Sequence, residues 1–196
     1  MTTDIAALVG SRICHDLISP IGAIGNGVEL LALTDGHAGA EMSLISESVQ
    51  NANARIRFFR IAFGASGADQ LVGRTETLSI LSDMASGGRM TYHWMITDDQ
   101  PRRDVRCAFL LLLSLESAMP LGGEVRIEMN GNAWALTAAG RRIMIDDDLW
   151  ASLQSPDSGY VHTAAQVQFA LLPSCLAEAG RVLHPHLSEE QLIMRF

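Results

Sequence analysis

The sequence predicts an α+β fold, in which an N-terminal helical hairpin forming a dimeric four-helix bundle precedes a C-terminal α/β sandwich. Apolar residues recur at steps of three and four up to Phe63, as on the packed faces of two helices. The small-residue stretch from Gly64 to Asp69 interrupts this pattern and is typical of a linker. After it, helical periods alternate with short strand-like runs. We therefore expect two domains, residues 1–64 and 69–196.

The first domain is predicted to be two antiparallel helices. The first runs from about Thr3 to Leu33, the turn-rich run from Thr34 to Gly39 ends it, and the second runs from Ala40 to about Phe63. Two helices alone bury little surface, so a hairpin of this length is expected to pair with a second copy. The apolar seam of the first helix comprises Leu17, Ile21, Ile24, Val28 and Leu31.

The second domain is predicted to place helices on one face of a mainly antiparallel sheet. The turn Asn130-Gly131-Asn132 is typical of a tight hairpin between two of its strands. The predicted helices are Arg74 to Ala85, Arg103 to Met119, Asp147 to Leu153 and Thr163 to Gly180. The predicted strands are Met90 to Thr97, Val125 to Met129, Trp134 to Ala138, Arg181 to His186 and Gln191 to Arg195.

Composition narrows the possible function classes. The 196-residue chain has a net charge of −8 and no dense basic cluster, which argues against nucleic-acid binding. It contains no lysine, which excludes phosphate-loop and Schiff-base chemistry. No apolar run reaches the roughly 18 residues of a membrane span. Because the N-terminus, with Asp4, lacks the pattern of a signal peptide, the cytoplasm is the expected location.

Cysteine and histidine residues give little indication of a metal site. The cysteines Cys14, Cys107 and Cys175 are widely separated and odd in number, so we expect buried thiols and no disulfide framework. The pair His184 and His186 could supply two metal ligands, but no third ligand is evident and a surface loop is the preferred interpretation.

The stretch from Ser11 to Ile21 places a histidine, an acid and a proline in a helical pattern. His15 falls off the apolar seam, and the small residues Ser11, Ser19 and Gly22 share its outward surface. A neutral imidazole so exposed can attack a phosphorylated carboxylate. Asp16 could orient the ring or take its proton. The alternative is an ordinary solvated histidine on a helix surface.

Antiparallel folding about the turn near Gly36 places His15 level with residues near 57. Depending on the rotation of the second helix, this brings Arg55, Arg57 or Arg60 close to the histidine. An arginine there could hold a phosphoryl group. Alternatively, these arginines only solvate the outer face of the helix.

The histidine stretch resembles the phosphoacceptor box of sensor histidine kinases, which has the form His-Glu/Asp-Leu-x-Ser/Thr/Asn-Pro. His15, Asp16, Leu17, Ser19 and Pro20 match it. The second domain resembles the ATP-binding domain of the same family. The matching segments are the helix Leu110 to Ala118, the glycine pair with the strand that follows, Gly122 to Ile127, and the helix from Ala164 to Arg181.

The sequence lacks three features of the kinase pattern that serve ATP binding. The metal-coordinating asparagine of that family should lie in the long helix, but no asparagine occurs between Arg102 and Met129. Its Asp-x-Gly-x-Gly is replaced by the run from Ala138 to Arg142, and the glycine-rich lid is missing ahead of Ala164. Without these groups ATP binding has no chemical support. We therefore expect no cofactor, and any Mg²⁺ would belong to a partner receiver domain.

This combination resembles the alphaproteobacterial histidine phosphotransferases of the ChpT type, which are dimers with a degenerate ATP-binding domain. The resemblance implies that an aspartyl phosphate on the receiver of a CckA-like hybrid kinase passes to His15. From there the phosphoryl group would pass to CtrA-like or CpdR-like response regulators. The protein would be a phosphoryl carrier without ATPase or autokinase activity.

The resemblance also implies roles for the residues around the histidine. His15 would be the nucleophile and Asp16 its orienting or proton-accepting neighbour. Arg12 and Arg57 would contact the phosphoryl group. The docking surface would comprise Ser11, Ser19 and Gly22. Two alternatives stay open: a non-catalytic dimeric protein that binds response regulators, and a divergent histidine kinase whose ATP site has drifted.

Overall fold

A computed structural model of the chain describes residues 4–33, 39–65, 67, 70–86, 88–155 and 159–196. Its helices are α1 Ile5–Leu33, α2 Gly39–Ala62, α3 Arg74–Ala85, α4 Arg102–Ala118, α5 Asp147–Ala151 and α6 Val167–Ala179, with a 3-10 turn at Ala164–Gln166. Its strands are β1 Leu71–Val72, β2 Met90–Trp94, β3 Gln100–Pro101, β4 Gly123–Asn130, β5 Ala133–Gly140, β6 His184–Leu187 and β7 Leu192–Arg195. The predicted α+β class is confirmed.

Helices α1 and α2 pack side by side as the predicted hairpin. The two helices approach each other closely at Gly27, where an added Cβ would lie 2.6 Å from Cγ1 of Ile45. This contact accounts for one of the four glycines of α1, since a larger side chain would force the helices apart. The predicted first residue of α1, Thr3, and the predicted turn residues 34–38 lie outside the described residues.

The main sheet has five strands in the order β2-β4-β5-β7-β6. All of its neighbours are antiparallel except β2 and β4, which pair in parallel. Strands β4 and β5 are joined across the predicted tight turn, where Gly131 has a φ of 59°. The separate pair of β1 and β3 was not predicted, because two residues per strand are too few for an alternating pattern.

The core is built around α4, which is buried along most of its length. Its leucines meet the inner face of the sheet, including Trp134. The last turns of α2 belong to the same core, and Phe58 of α2 stacks on Phe109 of α4 with ring centroids 4.5 Å apart. The hairpin ends near Gly64, but the hydrophobic core is continuous from the last turns of α2 into the α/β part.

Arginine side chains fix the end of α2 to the α/β part. Arg102 and Arg106 of α4 donate hydrogen bonds to the backbone carbonyls of Arg60 and Ala62. These carbonyls lie in the last turn of α2, where the helix itself offers no N–H partner. Arg60 in turn pairs with Glu76 of α3 at 2.9 Å. These bonds set how the hairpin is oriented on the sheet layer.

The cysteines divide into two kinds. Cys107 and Cys175 are buried, as predicted, and burial raises the pKa of both thiols, that of Cys107 to about 12. Cys14 is exposed, so its predicted burial is wrong for the single chain. None of the described helices is long and apolar enough to cross a membrane.

Candidate functional site

His15 projects from the outer surface of α1, and 86% of its side chain is exposed. Its Nδ1 atom lies 3.1 Å from Oδ1 of Asp16. The Nε2 atom therefore points away from the protein, and a partner can reach it. The neighbouring turns carry Ser11, Ser19 and Gly22, which are all exposed. No atom would lie within 4 Å of a Cβ added at Gly22, so this part of the surface is open.

Asp16 connects the histidine to two guanidinium groups. Only 9% of its side chain is exposed. Its Oδ2 atom accepts a hydrogen bond from Nε of Arg12 at 2.8 Å, and Nη1 of Arg55 lies 3.8 Å away. Because Oδ2 faces the arginines, Oδ1 stays available to His15. A carboxylate held in this way can orient the imidazole ring through a hydrogen bond with Nδ1.

The arginine near the histidine is Arg55, and Arg57 points elsewhere. Nη1 of Arg57 donates to Oγ of Ser79 at 3.2 Å and to Oδ2 of Asp83 at 2.9 Å, both on α3. The structure therefore does not bring Arg57 to His15 as the sequence interpretation assigned. Two positions along a helix differ by about 200° in direction, so Arg55 and Arg57 cannot both face α1. Arg55 is held in place by Asn51, whose Oδ1 accepts from its Nε at 2.9 Å.

A cleft of about 410 Å³ runs beside His15 between α1 and α2. On α1 it is lined by the histidine box itself. On α2 it is lined by Arg55 and by four residues that the sequence analysis did not single out, namely Leu44, Glu47, Ser48 and Asn51. The period of α2 could not have identified them, because their exposure depends on the rotation of α2 against α1.

The α/β part also reaches this site. Nη1 of Arg12 donates to the carbonyl oxygen of Ala165, in the 3-10 turn before α6, at 2.8 Å. Glu116, near the end of α4, interacts electrostatically with Arg12 and Arg55. Burial raises the pKa of Glu116, and the two guanidiniums oppose that shift. Burial likewise raises the pKa of Tyr92 on β2, and the Glu116 charge acts in the same direction.

The glycine pair after α4 is explained by packing. Gly122 has a φ of 83°, and a Cβ there would lie 2.1 Å from the carbonyl oxygen of Arg89. At Gly123 an added Cβ would lie 2.3 Å from the carbonyl oxygen of Ala139. Only glycine fits where the turn crosses the neighbouring backbone. These glycines need no bound phosphate to account for them.

His184 and His186 lie on β6 at the edge of the sheet, and both are exposed. Both histidines thus lie in a strand, as the predicted strand Arg181 to His186 implies, and the preference for a surface loop is wrong. Within the part of the chain that the structure describes, no three histidine, cysteine or acidic side chains gather as a metal site would require.

The fold and the site together define a histidine phosphotransfer protein, with a histidine on a helical hairpin joined to an α/β layer. The histidine phosphotransferase C-terminal domain family matches residues 74–191. The protein phosphotransferase ChpT of Brucella abortus (strain 2308) is 31% identical over 199 residues, which cover 97% of this chain and 93% of that protein. A solved structure described as a bacterial phosphotransferase superposes with a TM-score of 0.80 at 31% identity, covering 98% of this chain and 95% of that one.

The chain belongs to the histidine phosphotransferase family, and it is a phosphotransferase of the ChpT type. This confirms the family that the sequence motifs predicted. Membership of this family indicates that the chain acts as a histidine phosphotransferase in a phosphorelay.

Proposed function

We propose that His15 is the phosphorylated residue, and that it exchanges a phosphoryl group with the aspartates of receiver domains. The observation that carries this proposal is the pairing of an 86% exposed imidazole with a carboxylate that is only 9% exposed. An ordinary surface histidine has no such buried partner. The carboxylate holds Nδ1, and Nε2 is left as the nucleophile.

The transfer step needs no additional reactant. The Nε2 lone pair attacks the phosphorus of the aspartyl phosphate, and the P–N bond forms as the P–O bond to the receiver carboxylate breaks. That carboxylate leaves with the electron pair, while the Nδ1 proton stays between His15 and Asp16. Asp16 stabilises the positive charge that develops on the ring. The reverse step passes the phosphoryl group to another receiver aspartate.

The partners we propose are receiver domains, first that of a CckA-like hybrid kinase and then those of CtrA-like or CpdR-like response regulators. Exposed small residues around His15, namely Ser11, Ser19 and Gly22, support close docking of a helical or loop surface. ATP has no part in this scheme, and Mg²⁺ would be held by the receiver. A cytoplasmic location stays a prediction.

The decisive experiment compares two sources of label. The pure protein is incubated with labelled ATP alone, and separately with a receiver domain that carries a labelled aspartyl phosphate. We expect acid-labile label on this chain only from the receiver. Label from ATP alone would instead identify a kinase, and no label from either source would favour a non-catalytic interaction protein.

We also propose that the chain is a homodimer, in which a second copy covers an apolar flank of the hairpin. On α1, Ile21 and Val28 were predicted as seam residues, yet they are 58% and 53% exposed in the single chain. On α2, Met42, Val49 and Ile56 recur every seven residues and are also exposed. An apolar line on both helices of a hairpin is typical of a four-helix bundle formed by two copies.

Substituting Ile21→Glu should convert the dimer into a monomer, because it places a charge in the centre of the apolar flank. Light scattering after size exclusion should give twice the 21.2 kDa chain mass for the unaltered protein and the single mass for the variant. Val182→Glu is a suitable control, since Val182 is 68% exposed but lies outside the hairpin. A single-chain mass for the unaltered protein would refute the dimer.

Arg55→Gln should slow phosphoryl transfer on the order of 10-fold, because the Arg55 guanidinium can hydrogen-bond the transferring phosphoryl group, and a hydrogen bond to a charged group contributes about 1.5–3 kcal/mol. Arg57→Gln is the matched control, two positions along the same helix. Its partner Asp83 is half exposed, so the rate should stay within about 2-fold of the unaltered protein. Rapid-quench measurement of label transfer checks both rates. Equal rates for the two variants would remove Arg55 from the site.

A further inference from the structure

A hydrogen bond joins the α/β part to the histidine helix beside the site. Nη1 of Arg12 on α1 donates to the carbonyl oxygen of Ala165 at 2.8 Å. The same guanidinium donates from Nε to Oδ2 of Asp16 at 2.8 Å. Because the guanidinium is planar and its donors point in fixed directions, the two bonds together determine where it lies. Arg12 therefore links the carboxylate that faces His15 to a backbone carbonyl of the α/β part.

The turn that carries Ala165 is closed by the side chain of Gln166. Its Oε1 atom accepts from the backbone N–H of Thr163 at 3.0 Å and from the Thr163 hydroxyl at 3.1 Å. The backbone N–H of Gln166 donates in turn to the carbonyl oxygen of Thr163 at 3.0 Å. These reciprocal bonds form the capping box of the 3-10 turn and fix its backbone. The Ala165 carbonyl lies within this turn, so Gln166 sets its direction.

The bond to the turn bears on how firmly Asp16 is held. Arg12 and Asp16 are four positions apart on α1, and such a pair within a single helix contributes little by itself, because both side chains lose conformational freedom to form it. A second bond to a separate element removes that freedom from the guanidinium in advance. Asp16 then keeps one orientation, in which its Oδ1 lies 3.1 Å from Nδ1 of His15.

We propose that Gln166 is a positioning residue for phosphoryl transfer. It fixes the Ala165 carbonyl, the carbonyl holds the guanidinium of Arg12, and the guanidinium holds the carboxylate that faces the histidine. The α/β part thereby serves the site without a nucleotide. In this role Arg12 acts on Asp16, whereas the family resemblance would have it contact the phosphoryl group. The proposal rests on His15 being the phosphorylated residue.

The test is Gln166→Ala, measured by label transfer from a phosphorylated receiver over a range of receiver concentrations. We expect the maximal rate constant to fall about 2- to 10-fold, the equivalent of one hydrogen bond, with the receiver concentration at half-maximal rate unchanged. Gln166→Glu should keep a rate near that of the unaltered protein, because a carboxylate oxygen can accept from the Thr163 N–H in the same way.

Asp146→Ala is the matched control. It removes the side-chain cap of another helix in the α/β part, α5, where Oδ1 of Asp146 accepts from the backbone N–H of Leu149 at 3.1 Å. The loss of a cap lowers the stability of either helix, but only the turn before α6 is bonded to Arg12 in this scheme. The Asp146 variant should therefore transfer at the unaltered rate.

A second arm tests the route through Arg12. Because Gln166 acts on the guanidinium, Gln166→Ala should lower the rate much less in an Arg12→Gln background than in the unaltered protein. Because the guanidinium acts on Asp16, Arg12→Gln should in turn lower the rate much less in an Asp16→Asn background. A direct contact of Arg12 with the phosphoryl group would leave its effect intact there.

Full additivity in either pair would overturn the proposal, as would an unchanged rate in Gln166→Ala or an equal loss in Asp146→Ala. A rate in Gln166→Glu as low as that in Gln166→Ala would also overturn it. So would a loss that appears only as a higher receiver concentration at half-maximal rate, because the turn would then belong to the docking surface. Failure of the proposed function looks different, since the unaltered protein would then take up no label at all.

Discussion

Replacing His15 by alanine should abolish phosphoryl transfer in both directions, so that a labelled receiver loses its label only by spontaneous hydrolysis. The Nε2 atom is the only nucleophile in the proposed step, and no other described residue of the cleft beside it carries an imidazole. Because the side chain is 86% exposed, its removal should leave the free energy of unfolding within about 0.5 kcal/mol of the unaltered value. Label transfer from and to a receiver domain measures the first effect, and chemical denaturation the second.

The matched control for this prediction is His186→Ala, which removes another exposed imidazole from the edge strand β6. That variant should transfer at the unaltered rate. If the His15 variant still acquired acid-labile label while the His186 variant lost it, the phosphorylated residue would have been assigned to the wrong histidine.

Local sequence patterns predicted the elements of this fold well, because local rules govern them. The bounds of α3, Arg74–Ala85, match the prediction, and α4 and the β4–β5 hairpin differ from it by two residues or fewer at each end. The outward direction of His15 followed from its position relative to Leu17 on a helix with a fixed period. Such features depend on a few neighbouring residues, so they can be predicted from the sequence alone.

The arginine beside the histidine could not be chosen in the same way. The rotation of α2 is set by Phe58, whose ring stacks on Phe109 of a helix that is distant in sequence. Once Phe58 points into the core, Arg55 faces α1 and Arg57 faces α3. The contact of Arg12 with the carbonyl oxygen of Ala165 is a further case, since it depends on how the α/β part docks on the hairpin. The positions of both arginines follow from tertiary packing.

Substituting Phe58→Ala should lower the free energy of unfolding by about 3–5 kcal/mol, the usual cost of removing a buried phenyl ring. The ring is 1% exposed and contacts Phe109 and Phe59 at centroid distances of 4.5 and 6.2 Å. Phe63→Ala is the milder comparison, because Phe63 is only partly buried and stacks on Phe59 alone among the described rings. It should cost about half as much or less.

Two spectroscopic probes of the Phe58 variant can show whether the chain unfolds as one cooperative unit or as two. All three tryptophans, Trp94, Trp134 and Trp150, lie in the α/β part, whereas Phe58 belongs to the hairpin. If the continuous core makes the chain unfold as one unit, the Phe58 variant should shift the tryptophan fluorescence transition and the helical circular dichroism transition together. Protein concentration must be held fixed, since the proposed dimer would stabilise the folded state. A fluorescence midpoint that stays at the unaltered value would show that the hairpin and the α/β part unfold independently.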